Sequence, residues 1–173
     1  FATPNNIIHF NQLLSNSKSL NQLGFKVTVG NVVWNQCKDI LTNDNTKTRL
    51  IYSTDIDKNK LIFKKYKNND KCNFINKPGI KRPMIVINRG YGVGEYKFNY
   101  CLINNENNEY LIENHLICIE YKSEISHNNL IDYYNKIIAS FCDTRTLEFI
   151  NVYFGNNAIN TTELNYILPI WNF

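Results

Sequence analysis

The segment Lys81-Arg82-Pro83-Met84-Ile85-Val86-Ile87-Asn88 constrains this chain more than any other. Its apolar residues are consecutive and mostly β-branched, so it reads as a strand buried in the interior. A chain that buries such a strand must supply other elements to cover it. Candidates stand on both sides in sequence. RLIYSTDI and KLIFKKY precede it as strands, and YKFNYCLI and the largely extended NEYLIENHLICIEYK follow. VTVGNVVW reads as extended chain interrupted at Gly30, and WNQCKDILT as a short helix.

Helical periodicity is confined to the two ends. Residues 5–22 place Ile7, Phe10, Leu13 and Leu14 at helical spacing, with Gly24 as the stop. Residues 126–140 begin at Ser126, an N-cap residue, and carry Leu130, Ile131, Tyr134, Ile137 and Ile138 on one face. Residues 144–155 read as a second helix ended by Gly155, and Thr161 or Thr162 as the cap of a third through Glu163. Strands in the middle and helices at the ends make the class α+β. The expected architecture is a central, mostly antiparallel sheet with helices at the N- and C-terminal ends.

The 173 residues fit one domain, 1–173, with no repeat and no linker. Hydrophobic residues make up 43% and charged ones 20%, which excludes a disordered chain. No apolar run reaches the length of a membrane span, and FATPNNIIHF lacks the basic start and apolar core of a signal peptide. The chain starts without Met, so a fragment of a larger protein is the expectation. Thirty Asn and 22 Ile, with 15 Lys against 4 Arg, match the codon bias of an AT-rich genome. The five cysteines, Cys37, Cys72, Cys101, Cys118 and Cys142, form no C-x-x-C pair and no zinc spacing with His9, His115 or His127. Free thiols in a reducing, cytoplasmic setting and no resident metal are expected.

The net charge of +4 is unevenly placed. Residues 58–82 hold nine Lys and Arg against only Asp70, while residues 83–173 hold five basic and ten acidic residues. The basic window, with Lys64, Lys65 and Lys67 at its centre, also carries Phe63, Tyr66 and Phe74. Lysines beside aromatic rings suit a nucleic acid, through phosphate neutralisation and base stacking. A solvated, Lys-rich loop between strands has the same composition.

Three constellations could carry chemistry. Arg89-Gly90-Tyr91-Gly92-Val93-Gly94 follows the buried strand, but the alternating EYKFNYCLIN comes next. A nucleotide or S-adenosylmethionine loop needs a helix there, so a hairpin turn presenting Arg89 and Tyr91 is the better reading. Arg89 suits bidentate contact to guanine or phosphate, and Tyr91 suits stacking. Glu120-Tyr121-Lys122, with upstream acids at Asp57, Asp70 and Glu113, has the residue types of a metal-dependent nuclease, and equally of a solvated strand end. In Glu113-Asn114-His115, Asn114 could read adenine and His115 could contact bases or phosphates; a polar turn has the same residues. The chain has no Pro-Pro pair, P-loop, G-x-S-x-G or H-E-x-x-H.

Read in order, VGNVVWNQCKDIL, RLIYSTDI, PMIVINRGYG, ENHLICI and FGNNAINTTELNYILPI resemble the C-terminal target recognition domain of adenine-specific DNA methyltransferases of restriction–modification systems, over residues 24–170. The resemblance implies a separate N-terminal catalytic domain of the same polypeptide, which binds S-adenosylmethionine and transfers the methyl group. No cofactor is then expected in this chain, in keeping with the missing (Asp/Asn)-Pro-Pro-(Tyr/Phe) tetrapeptide. It implies duplex DNA as partner, with Trp34, Asn35 and Lys38, Arg89 and Tyr91, and Asn114 and His115 near the DNA, and the basic window with Lys64, Lys65 and Lys67 along the backbone. Two other readings remain open: an E-x-K nuclease, and a subunit-docking domain that binds no DNA.

Overall fold

The run Met84–Asn88 is indeed the buried strand around which the chain is layered. The computed structural model describes residues 3–66, 70–90, 96–104, 108–154 and 158–173. In chain order the helices are α1 (Pro4–Leu14), α2 (His127–Phe141) and α3 (Thr144–Phe149). The strands are β1 (Ser17–Lys18), β2 (Phe25–Val29), β3 (Leu41–Thr42), β4 (Thr48–Ile51), β5 (Ile56–Asp57), β6 (Lys60–Leu61), β7 (Phe74–Ile75), β8 (Met84–Asn88), β9 (Tyr100–Ile103), β10 (Tyr110–Ile112), β11 (Leu116–Tyr121) and β12 (Ile170–Trp171).

The expected α+β class holds, but the strands divide into two four-stranded sheets and two small pairs, β1 with β12 and β5 with β6, instead of one sheet. The first, β2-β11-β8-β9, is antiparallel throughout. The second, β10-β4-β7-β3, contains one parallel pair, β10 with β4. Neighbouring side chains of a strand point to opposite faces, so each apolar run feeds two cores. Ile85, Ile87, Ile117 and Ile119 pack with Phe25 against Leu130, Tyr134, Ile137 and Phe141 of α2. Met84, Val86, Leu116 and Cys118 pack on the other side against Ile51, Tyr110 and Ile112 of the second sheet. Both faces of β8 and β11 are therefore dry, which is why their sequences do not alternate. A third core, Val32, Leu50, Tyr52, Ile75 and Leu111, lies under Trp34, Cys37, Ile40, Leu41 and Tyr66. The layers run from helices through two sheets to an outer layer of loops.

Several elements depart from the pattern in the sequence. α1 ends at Leu14 rather than running toward Gly24, because Asn16 takes a left-handed φ of 57° and β1 turns away to pair with β12. Gly24, at φ +86°, instead makes the turn into β2 beneath the Tyr121 ring. Residues 34–40 form two 3₁₀ turns, Trp34–Gln36 and Lys38–Ile40, not one helix. Trp34, Cys37 and Ile40 all reach the third core, and a spacing of three suits three residues per turn. Of KLIFKKY only Lys60–Leu61 pairs as strand, and residues 62–66 run on as an unpaired strap over the second sheet. Ser126 caps α2 as expected. The cap before Glu163 is Asn160 instead of Thr161 or Thr162: Asn160 Oδ1 accepts from Glu163 N at 2.9 Å, and Asn160 N donates to Glu163 Oε2 at 3.1 Å. α3 continues as wider turns over Ile150–Phe154, and Gly155 lies outside the described residues.

The join between the sheets is tight at Gly30. A Cβ there would stand 2.2 Å from the carbonyl oxygen of Glu113, a backbone atom that cannot yield without moving the strand ends. Gly30→Ala is expected to lower the unfolding free energy by about 2–3 kcal/mol, read from the urea midpoint at an unchanged slope.

Candidate nucleic-acid interface

The outer layer is organised around Lys71. Its Nζ stands 4.0 Å from the Tyr52 ring centroid, 4.5 Å from Tyr66 and 5.7 Å from Trp34. Cation–π contacts of this kind contribute roughly 0.5–2 kcal/mol, the larger values where water is excluded. Burial lowers the Lys71 pKa, and the negative field of Glu113 and Asp55 opposes that shift. The Tyr52 and Tyr66 rings meet edge to face at 5.1 Å, and Tyr52 Oη donates to Cys72 O at 2.8 Å.

Two buried carboxylates lie beneath this group. Asp55 is fully buried. Its Oδ1 accepts from Tyr66 Oη at 2.8 Å and its Oδ2 from Tyr52 N at 3.1 Å. Burial raises its pKa, and those two hydrogen bonds hold it down. Glu113 is 2% exposed. Its carboxylate accepts from His115 N at 3.2 Å and pairs closely with His115 Nδ1. Asp55 joins Tyr52 to Tyr66, and the field of both acids favours the Lys71 cation between those rings.

The strap of residues 62–66, from the middle of the basic window, meets that base through Tyr66. Lys64 and Lys65 are exposed on the strap, which Arg49 Nη2 ties down by donating to Ile62 O at 2.8 Å and Asn73 Nδ2 by donating to Lys64 O at 2.8 Å. A groove of about 780 Å³ opens beside the strap, lined by Asn43, Asn45, Phe63, Lys65, Tyr66 and Lys71, with Asn73 and Phe74 at its floor. Phe63 is 54% exposed and lies 5.0 Å from the Arg49 guanidinium. An exposed ring beside lysines can stack a base while the ammonium groups meet phosphate.

Backbone hydrogen bonds join some of the candidates named from sequence. Trp34 is half-buried, and Lys38 and Asn35 are exposed on the turns around it. Lys38 Nζ lies 5.7 Å from the Trp34 ring and pairs with Asp70 at 2.7 Å. Val32 O accepts from Asn114 N at 2.9 Å, and Arg89 N donates to His115 O at 3.3 Å, so the 113–115 turn joins the Trp34 loop to Arg89. Arg89 and His115 are exposed. Asn114 is half-buried, and its Oδ1 has no hydrogen-bond partner among the described residues. That carbonyl oxygen is buried, so this amide does not present both its atoms at the surface. Lys67 and Tyr91, with Gly92 to Glu95, lie outside the described residues.

The E-x-K acids are not brought together. Glu120 pairs with Lys26 across the strands at 3.4 Å, Asp70 with Lys38, and Glu113 with His115, while Asp57 is exposed in β5. Among the described residues no group of three His, Cys, Asp or Glu could hold a metal ion. The next described element after Gly90 is the strand β9. No described helix is long and apolar enough to cross a membrane. Asp55 and Lys71 carried no signal in sequence. Lys71 is one lysine among nine basic residues, and Asp55 is marked only by its depth in the fold.

No protein-family model matches the chain, and no curated protein matches it.

Removing Asp55 leaves the buried Tyr52 N without its acceptor, leaves Tyr66 Oη with only Thr54 Oγ1 at 3.1 Å, and takes from Lys71 part of its counter-field. Asp55→Ala is expected to cost about 2–4 kcal/mol of folding free energy by chemical denaturation, more than any exposed lysine of the strap.

Proposed function

We propose that this chain binds duplex DNA and serves as the target recognition domain of an adenine-specific, S-adenosylmethionine-dependent DNA methyltransferase. The observation that carries the proposal is the outer layer. Lys64 and Lys65, from the middle of the one strongly basic window of the chain, are exposed on the strap that Tyr66 ties to buried Asp55, with Phe63, Lys65 and Tyr66 at a groove. The order of the sequence segments supports the methyltransferase part of the reading. On this reading methyl transfer and the S-adenosylmethionine site belong to the N-terminal catalytic domain of the same polypeptide. This chain contributes binding and orientation.

Its residues divide by task. Lys64 and Lys65 neutralise phosphate and set where the duplex lies, over the base that Lys71 holds together. Phe63 offers a stacking face. Arg89, Asn35 and His115 are exposed and are assigned to base edges on this reading.

Fluorescence anisotropy of a labelled duplex over a salt series tests the binding. Affinity is expected to fall by about 0.9 log units per log unit of salt for each phosphate neutralised. Lys64→Ala/Lys65→Ala is expected to weaken binding to all sequences alike and to flatten that slope. No binding at low salt, or a flat slope, overturns the proposal and favours a docking domain.

Arg89 tests the reading of sequence. Its exposed guanidinium sits at the end of a strand whose backbone is held by His115 and Ile159. Arg89→Lys keeps the charge and loses the planar fork. On the preferred duplex it is expected to cost about 1–3 kcal/mol, with non-specific binding and melting temperature unchanged. A lower melting temperature with unchanged site preference would mean that Arg89 only holds its turn.

A further inference from the structure

We infer that the loop joining β3 to β4, residues 43–47, reads base edges through the side-chain amides of Asn43 and Asn45. This rests on the proposal that the chain binds duplex DNA.

The loop stands between two cationic grooves. On one side Asn43 and Asn45 face the groove that holds Phe63, Lys65, Tyr66 and Lys71. On the other, Thr46 and Lys47 line a groove of about 520 Å³ together with Lys77 and Lys81. Glu109, the acid of that second groove, is turned inward: its Oε2 accepts from Gly79 N at 2.8 Å and from Thr48 Oγ1 at 3.5 Å. Positive charge thus flanks the loop on both sides. A duplex groove offers the matching arrangement, with a phosphate strand along each edge and bases between.

The loop is held in one shape by its own acid. Asp44 Oδ1 accepts from Thr46 N at 2.9 Å and from Thr46 Oγ1 at 2.8 Å. Asp44 N donates to Thr42 Oγ1 at 3.1 Å, and Lys47 N donates to Asp44 O at 3.2 Å. The backbone and side-chain bonds from Thr46 draw the Asp44 carboxyl below its usual pKa, so its charge is committed within the turn. Asn43 and Asn45 take no part in those bonds and are exposed. A carboxamide carries a donor and an acceptor side by side, which matches N6 and N7 of adenine in the major groove. Holding the backbone in place removes the ordering cost that a mobile loop would add to recognition.

The test uses the full chain and a pool of duplexes with a randomised centre, selected at low salt and then measured one by one. The wild type is expected to enrich a sequence containing adenine. Asn43→Ala/Asn45→Ala is expected to reduce the preference for that sequence over a scrambled duplex by about 5- to 150-fold, the effect of losing one bidentate pair. Its binding to the scrambled duplex and its salt slope stay unchanged. Lys47→Ala/Lys77→Ala/Lys81→Ala is expected to weaken both duplexes equally. If the alanine pair lowers the melting temperature, the Asn43→Ser/Asn45→Ser pair gives the reading instead. An unchanged preference in the folded double variant overturns this inference and leaves DNA binding standing. Wild-type binding without enrichment does the same. A wild type that binds no duplex overturns both.

Discussion

Everything in this molecule follows from keeping β8 and β11 dry on both faces. Neither strand has polar residues to offer water along its central stretch, so an apolar layer must stand on either side. The α2 helix supplies one, and the second sheet supplies the other. The second sheet is then half covered and needs a layer of its own. The 3₁₀ turns with Trp34, Cys37 and Ile40, together with Tyr66, fill that place. The outermost layer is built from loops, and loops can carry charge and read a partner without exposing the cores beneath.

The polar groups under that layer are expensive to bury unless they are matched. Asp55 and Glu113 are matched with some care. Tyr66, Tyr52 N and the field of Lys71 answer Asp55, and His115 answers Glu113. Lys71 gives up water and gains two carboxylates and three aromatic faces. Such a network is worth more as a fixed scaffold than as a source of stability, because each partner holds the others in place. The exposed lysines of the strap therefore sit on a rigid base while their own chains stay free to follow a phosphate.

Charge is also unevenly spread along the chain. Beyond residue 122 the acids Glu124, Asp132, Asp143, Glu148 and Glu163 outnumber Lys136 and Arg145, and they decorate the helical side. Among the described basic residues of the window, Lys64 and Lys65 lie on the strap, Lys77 lines the groove beside the 43–47 loop, and Lys81 and Arg82 stand at the start of α2. A polyanion would meet the strap lysines before the acid-rich helices, and such an uneven charge orients an encounter before any specific contact forms.

The sequence by itself determined the buried strand, the α2 helix with its Ser126 cap, the α+β class and the location of the basic window. Each of these is written in local chemistry: consecutive β-branched residues, a face repeating near 3.6, a capping hydroxyl, a count of lysines. It did not determine that the strands make two sheets, because the parallel pairing of β10 with β4 joins residues about 60 apart and no local pattern encodes it. For the same reason it could not separate Lys71 from its neighbours or mark Asp55, whose meaning lies in burial. Asn43 and Asn45 were two among thirty asparagines. Only the tertiary structure set them on a turn pinned by Asp44 between two cationic grooves, since side chains far apart in the chain, Phe63, Lys71, Lys77 and Lys81, build the surroundings that give those amides a task.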